Sequence, residues 1–140
     1  MEGPVGATTT VTFDDLAPTN RPLNGQYPSG TIDWGSSTWY LSGPWGRFNT
    51  NSVSFNGSSA TSATFTFVSP RQLLRVDAYN GGSTSSTVTL SCNGQPNVTT
   101  TLAPGGQIAT IQTNWTAPCT SVTISSSNGW FTNFDNLVIS

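Results

Sequence analysis

Ala63-Thr64-Phe65-Thr66-Phe67-Val68 and, a few residues on, Leu74-Arg75-Val76-Asp77-Ala78-Tyr79 are the two stretches that decide the fold class. In both, apolar and polar side chains alternate with a period of two, the spacing of a strand with one face in a core and one in water. The second run is expected to turn Leu74, Val76 and Ala78 inward and Arg75, Asp77 and Tyr79 outward. Working outward from this pair, shorter strand-like runs appear at 10–13, 31–34, 38–41 and 52–55, and then at 86–92, 97–102, 107–112, 121–125 and 134–139. Helix-period spacing is absent, and turn residues recur about every 8–12 positions. Residues 19–30 are turn-rich, with Pro22, Asn24-Gly25, Pro28 and Gly30.

These runs predict an all-β protein: a single-domain antiparallel β-sandwich of jelly-roll type with about ten strands. The sandwich is expected over residues 10–140, with 1–9 as a flexible N-terminal segment. Met1-Glu2-Gly3-Pro4-Val5-Gly6 lacks the basic and apolar regions of a secretory signal, so this start is read as cut from a longer secreted protein.

Charge narrows the partners. The 140 residues carry four Arg, six acidic side chains, no Lys and no His, for a net charge of −2. A typical soluble domain is about a quarter charged, so this surface is expected to be hydroxyls and amides. No basic stripe exists to hold phosphates, which excludes nucleic acid. No apolar run approaches the roughly 20 residues that cross a bilayer, so no membrane partner is expected. Cys92 and Cys119 end separate strand-like runs, which fits one disulfide and an oxidising, extracellular setting; two buried free thiols are the alternative. Asn56, Asn97 and Asn114 stand in Asn-x-Ser/Thr sequons, a pattern close to chance in so Asn- and Thr-rich a chain.

Without His, the usual general base and the imidazole ligands of transition metals are missing. Without Lys, Schiff-base chemistry is missing too. A carboxylate pair of the glycosidase type stays open, with Asp33 and Asp77 as its candidates, but a non-enzyme is the expectation.

Aromatic residues carry the stronger signal: five Trp, three Tyr and seven Phe. Phe13, Phe55, Phe65, Phe67 and Phe134 fall at inward positions of alternating runs and are expected in the core, with Trp34 beside them. Trp115 fits equally well as packing beside the cysteines. Trp39, Tyr40 and Trp45 crowd a stretch that is half turn, and Trp130 follows Ser127-Asn128-Gly129. Since Trp39 and Tyr40 are adjacent, one must face in and one out. Rings on loops form exposed apolar patches, which mark binding surfaces. A sugar lays its C–H face on such a ring while its hydroxyls reach neighbouring polar groups. Arg47, Asn49, Asp77, Tyr79, Asn80 and Gln112 are candidates for that second role, beside Trp39, Tyr40, Trp45 and Trp130.

The two ends of the chain match: Phe13-Asp14-Asp15-Leu16 early and Phe134-Asp135-Asn136-Leu137 late. Calcium takes six to eight oxygens, and adjacent carboxylates at a strand end can supply some; turn and strand-end caps are the other reading. With the Gly25-Gln26-Tyr27-Pro28-Ser29-Gly30 turn leading to Trp34, and the closing Phe134-Asp135-Asn136-Leu137-Val138-Ile139, the chain resembles the calcium-containing β-jelly-roll carbohydrate-binding modules appended to bacterial glycoside hydrolases. The resemblance spans nearly the full chain on short motifs. It implies first and last strands side by side, and a structural Ca2+ where they meet, held by Asp14, Asp15, Asp135 and carbonyls of the 24–30 or 49–57 turns. It also implies a secreted module that binds polysaccharide for an appended catalytic domain; a monomer and a β-linked plant cell-wall glycan as ligand are our further expectations. A structural or adhesive sandwich without a sugar ligand and a small carboxylate-dependent glycan-active enzyme are the competing readings.

Overall fold

A computed structural model of the chain describes residues 8–140. Of the expected lead-in at 1–9, residues 1–7 lie outside the described residues, while Thr9 already belongs to a strand. Among the described residues, twelve strands form two antiparallel sheets. The strands are β1 (Thr9–Val11), β2 (Arg21–Leu23), β3 (Ile32–Asp33), β4 (Trp39–Ser42), β5 (Ser52–Phe55), β6 (Ser62–Arg71), β7 (Leu73–Asn80), β8 (Ser86–Ser91), β9 (Val98–Leu102), β10 (Ala109–Gln112), β11 (Cys119–Ser126) and β12 (Thr132–Ile139), with one short 3-10 turn at Gly129–Phe131. One sheet runs β10-β7-β12-β5-β4-β2, with β1 also paired to β12, and the other runs β3-β6-β11-β8-β9. The protein is an all-β sandwich. Among the described residues no helix is long and apolar enough to cross a membrane.

Alternation places the core between the sheets. Phe65 and Phe67 of β6, Val76 and Ala78 of β7, Trp39 and Leu41 of β4, and Val53 and Phe55 of β5 all point inward and are buried. Their rings interlock edge to face: Phe13 lies 5.5 Å from Trp34, and Trp34 lies 5.2 Å from Trp39. Trp39 places its indole N–H on the Thr64 carbonyl at 3.0 Å, so a large polar-tipped ring can sit wholly inside. Trp34 is equally buried, and Trp115 packs in the same core as the Cys92–Cys119 disulfide.

Two irregularities reset which residues face inward. At Asn136 the backbone enters the left-handed region, φ 52°, and the β12–β7 register slips between Asp135 and Val138. Phe134, Leu137 and Ile139 therefore all reach the core, which an unbroken strand would forbid. A second slip, opposite Val138 and Ile139, leaves Leu74 outside the pairing and half-buried; Leu73, beside it, takes the inward place expected of Leu74.

Two expected boundaries shift for local reasons. β1 stops before Phe13, whose φ of 63° turns the chain away from the sheet. β2 lies inside the stretch read as turns. Pro22 there cannot donate to a neighbour, and β2 is the last strand of its sheet, where that is tolerated. The first and last strands do lie side by side, with Val11 paired to Leu137 and Thr9 to Ile139.

Candidate functional site

The outer face of the seven-stranded sheet builds the site. Beside the inward residues, Tyr40 and Ser42 of β4, Ser52 and Ser54 of β5, Asn133 and Asp135 of β12, and Asp77 and Tyr79 of β7 point away from the core, in register Tyr40↔Ser54 and Asn133↔Tyr79. Ser52, Ser54, Asn133 and Tyr79 are nevertheless buried, because two further segments cover that face.

The first cover is the loop from Gly43 to Asn51. Trp45 and Phe48 close it by a reciprocal backbone pair, 2.8 and 3.1 Å. Both rings meet Tyr79 edge-on, at 5.8 and 6.1 Å between centroids. The second cover is the 3-10 turn carrying Trp130 and Phe131. Ser54 Oγ donates to the carbonyls of Trp130 and Thr132, at 3.0 and 2.7 Å, and pins the turn to β5.

Between the covers lies a cleft of about 290 Å³ lined by Tyr40, Trp45, Trp130 and Phe131, with Asn20, Ser42, Ser54, Phe55 and Asn133 as its remaining walls and floor. None of these side chains is charged. Trp130 is 40 % exposed and Phe131 49 %, so both offer bare apolar surface to the cleft mouth. Their planes stand at 80° to one another. Polar groups stand in its walls and floor. Asn20, which lines the cleft, accepts the Gly43 N–H on its Oδ1 at 3.2 Å. Asn133 donates from Nδ2 to Ser52 Oγ at 2.8 Å and leaves its Oδ1 as acceptor. Rings with a few amides and hydroxyls between them form an uncharged site for a ligand that is apolar on one face and hydroxylated at its edges.

Of the candidate ligand-binding residues, the structure brings Tyr40, Trp45 and Trp130 together at this cleft. Trp39 is not available: it is wholly buried in the core, and Tyr40 is the member of the pair that faces out. Asn80 is buried as well, and its amide is fully engaged. Its Nδ2 donates to the carbonyls of Thr84 and Leu102, and its Oδ1 accepts the Gly82 N–H and Asn128 Nδ2. It therefore ties loops together rather than presenting a free amide. Tyr79 is shielded under Trp45 and Phe48. Asp77 lies farther along β7, where its carboxylate accepts Thr110 Oγ1 at 2.6 Å and Asn136 Nδ2 at 2.9 Å. Arg47 and Asn49 are exposed on the covering loop, and Gln112 is exposed on β10 at the sheet edge. Sequence reasoning missed Phe131, Asn20 and Asn133. Phe131 directly follows Trp130, and that adjacency was the available signal; Asn133 is placed by the pairing of β12, and Asn20, just before β2, by its N–H on the Leu41 carbonyl at 2.7 Å.

Asp33 and Asp77, the candidates for a catalytic pair, belong to opposite sheets. Each sits beside an inward residue, Ile32 and Val76, so their side chains leave the sandwich on opposite faces. Asp33 accepts the Gly35 N–H at 2.9 Å, as a turn residue does.

The acidic ends meet around the same covering loop. Asp14 accepts the Asn51 N–H at 2.9 Å, and Asp135 accepts Thr50 Oγ1 at 3.1 Å. Asp15 turns aside to accept the Tyr27 hydroxyl. Among the described residues no three His, Cys, Asp or Glu side chains converge as they would around an ion. Asp135 is buried, and burial pushes its carboxyl up to about 7; the negative charges of Asp14 and Asp77 add to the rise against the donors Asn136 N–H and Thr50 Oγ1. A buried acid facing further acids is a donor set suited to a hard, oxygen-liganded cation. Of the three acids expected there, Asp14 and Asp135 approach the 43–51 loop, while Asp15 turns to Tyr27 instead.

No family model matches the chain, and no curated protein matches it. Solved structures do. The chain is similar to a variant of a family 29 carbohydrate-binding module at 17 % identity, with 96 % of this chain and 92 % of that one aligned and a TM-score of 0.52. A second variant of such a module, complexed with cellohexaose, matches at 18 % identity over 94 % of this chain and 89 % of that one, TM-score 0.51. An exo-β-1,3-galactanase from Phanerochaete chrysosporium, solved with galactose, matches at 18 % identity and TM-score 0.50 over 98 % of this chain, which spans 30 % of the galactanase. At these identities the likeness is one of fold: the β-sandwich found in carbohydrate-binding modules.

Proposed function

We propose that the chain is a non-catalytic carbohydrate-binding module that holds a neutral polysaccharide in the cleft between Trp45 and Trp130. The observation that carries this reading is the convergence of Tyr40, Trp45, Trp130 and Phe131 on one uncharged cleft. Stacking on the exposed rings supplies most of the affinity, and the amides of Asn20 and Asn133 orient the chain. An aromatic contact of this kind contributes about 0.5–1.5 kcal/mol beyond the area it buries, which points to micromolar to millimolar affinity. An uncharged cleft favours neutral glycans over acidic ones, and a β-linked cell-wall glycan remains our first choice. The match to a segment of a longer galactanase, together with the disulfide, supports a secreted protein whose module accompanies a catalytic domain. A monomer suffices, since one chain builds the whole cleft.

Calcium belongs to the same proposal as a separable part. Asp14 and Asp135 would hold it beside the 43–51 loop, where it would neutralise the buried acid.

The deciding experiment is affinity electrophoresis through gels carrying a polysaccharide panel, beside pull-down on insoluble cellulose, chitin and xylan. Retardation by at least one polysaccharide, abolished in Trp130→Ala, is expected. A chain that migrates freely in every gel and binds no solid would instead be a structural sandwich of a larger protein.

A further inference from the structure

Tyr79, Asn80, Gly81 and Gly82 do not line the cleft, yet every element that does line it from above is seated on them. On one side, Tyr79 carries the edges of Trp45 and Phe48, and Gly46 lies so close that a Cβ there would stand 2.3 Å from the Tyr79 ring. A Cβ on Gly81 would stand 2.2 Å from the six-membered ring of Trp45, so the indole rests directly on that backbone. On the other side, the Gly81 N–H donates to the Phe131 carbonyl at 2.9 Å, and a Cβ on Gly82 would stand 3.0 Å from Phe131 Cβ. Asn80 Oδ1 accepts from Asn128 Nδ2 at 2.7 Å, one residue before the 3-10 turn. One four-residue segment at the end of β7 therefore holds both aromatic walls, though the walls lie far apart in sequence.

We propose that Tyr79-Asn80-Gly81-Gly82 is the positioning segment that sets the gap between the Trp45 wall and the Trp130–Phe131 wall, and so determines which glycan chain the cleft accepts. The inference rests on the glycan-binding reading for its ligand, but its geometry does not. Tyr79 contributes an edge for the indole to lean on, for which the ring suffices and the hydroxyl is dispensable. Gly81 contributes the absence of a side chain: its φ lies outside the left-handed region, so alanine there is free of backbone strain, and the atoms nearest its Cβ belong to the Trp45 ring.

The test has one arm without ligand and one with it. In a Trp130→Phe background, Trp34, Trp39 and Trp115 are buried, so fluorescence quenched by acrylamide reports Trp45. Adding Tyr79→Ala or Gly81→Ala is expected to raise that quenching, whereas Tyr79→Phe leaves it unchanged. Quenching that stays constant in both disruptive variants overturns the proposal, whatever the protein binds. The second arm takes the polysaccharide that retards the native chain most in the gel panel. Tyr79→Ala and Gly81→Ala on the otherwise native chain are expected to weaken retention about tenfold or more and to change the preference order across the panel. Gly81→Ala is expected to melt close to the native temperature, while Tyr79→Ala, which removes a buried ring, melts lower and is read at a temperature where it is folded; Tyr79→Phe restores native retention. Native retention and order in Gly81→Ala, despite raised quenching, overturns the claim that the segment sets selectivity. Should no polysaccharide retard the native chain, the glycan reading fails and the quenching arm alone still decides whether the segment seats Trp45.

Discussion

At the residue scale, neighbouring aromatic side chains have opposite work to do. Trp39 fills the core among Trp34, Phe55 and Phe65, and its truncation leaves a cavity with an unpaired Thr64 carbonyl beside it. Trp39→Ala is expected to cost about 3–5 kcal/mol, measured by urea unfolding. Trp130 keeps 40 % of its surface in water, so Trp130→Ala is expected to cost less than about 1 kcal/mol while abolishing retardation on polysaccharide. If Trp130→Ala unfolds the protein as readily as Trp39→Ala does, the ring is structural and the cleft loses its main contact. Trp39 and Tyr40 also mark how far a sequence reaches at this scale. Alternation dictates that the two diverge, while which one enters the core depends on the phase of β4 against β5, fixed by the pairing Trp39↔Phe55.

At the element scale, the 43–51 loop joins two features that are remote in sequence. Its start carries Trp45 into the cleft, and its end is fastened by Thr50 and Asn51 to Asp135 and Asp14. The carboxyl of Asp135 is raised to about 7 by burial, so the native state holds that proton more tightly than the unfolded chain does. The contribution to stability is complete below the ordinary carboxylate range and is lost as pH rises through about 7. In the presence of a chelator, the melting temperature is therefore expected to fall between pH 5 and pH 8, and Asp135→Asn should flatten that slope. Calcium bound by the carboxylate removes the penalty of the charged form, so millimolar Ca2+ should restore the melting temperature at pH 8. A pH 8 melting curve indifferent to both chelator and calcium would leave the loop fastened by hydrogen bonds alone. The matching acidic motifs at the two chain ends were visible as a pair, and β1 beside β12 explains why they meet. The 49–57 turn was one of two expected there as a source of carbonyls; the structure instead brings Thr50 and Asn51 to the two acids as hydrogen-bond donors, because the loop folds back over the sheet.

At the scale of the whole molecule, the disulfide closes 27 residues of sequence separation between β11 and the end of β8. Loop closure of that size contributes about 3–4 kcal/mol in the chain-entropy model. Cys92 and Cys119 lie in the core with Trp115, away from the cleft-lining residues. Cys92→Ala/Cys119→Ala is accordingly expected to lower the melting temperature while keeping polysaccharide retention at a temperature where the variant is folded; loss of retention in a folded variant would show that the bridge shapes the cleft. The sequence by itself determined the sandwich, the Phe core, the cysteine pair and the uncharged surface, because alternation and composition are properties of contiguous residues. It also nominated Tyr40, Trp45 and Trp130, since rings beside Gly and Pro turns are poorly covered by their own neighbours. Only the tertiary structure decided that these three share one cleft with Phe131, that Tyr79 and Asn80 lie beneath its walls, and that Asp135 is buried. Each of those facts depends on which strands pair and which loop folds over which face, and that is settled by contacts between residues tens of positions apart.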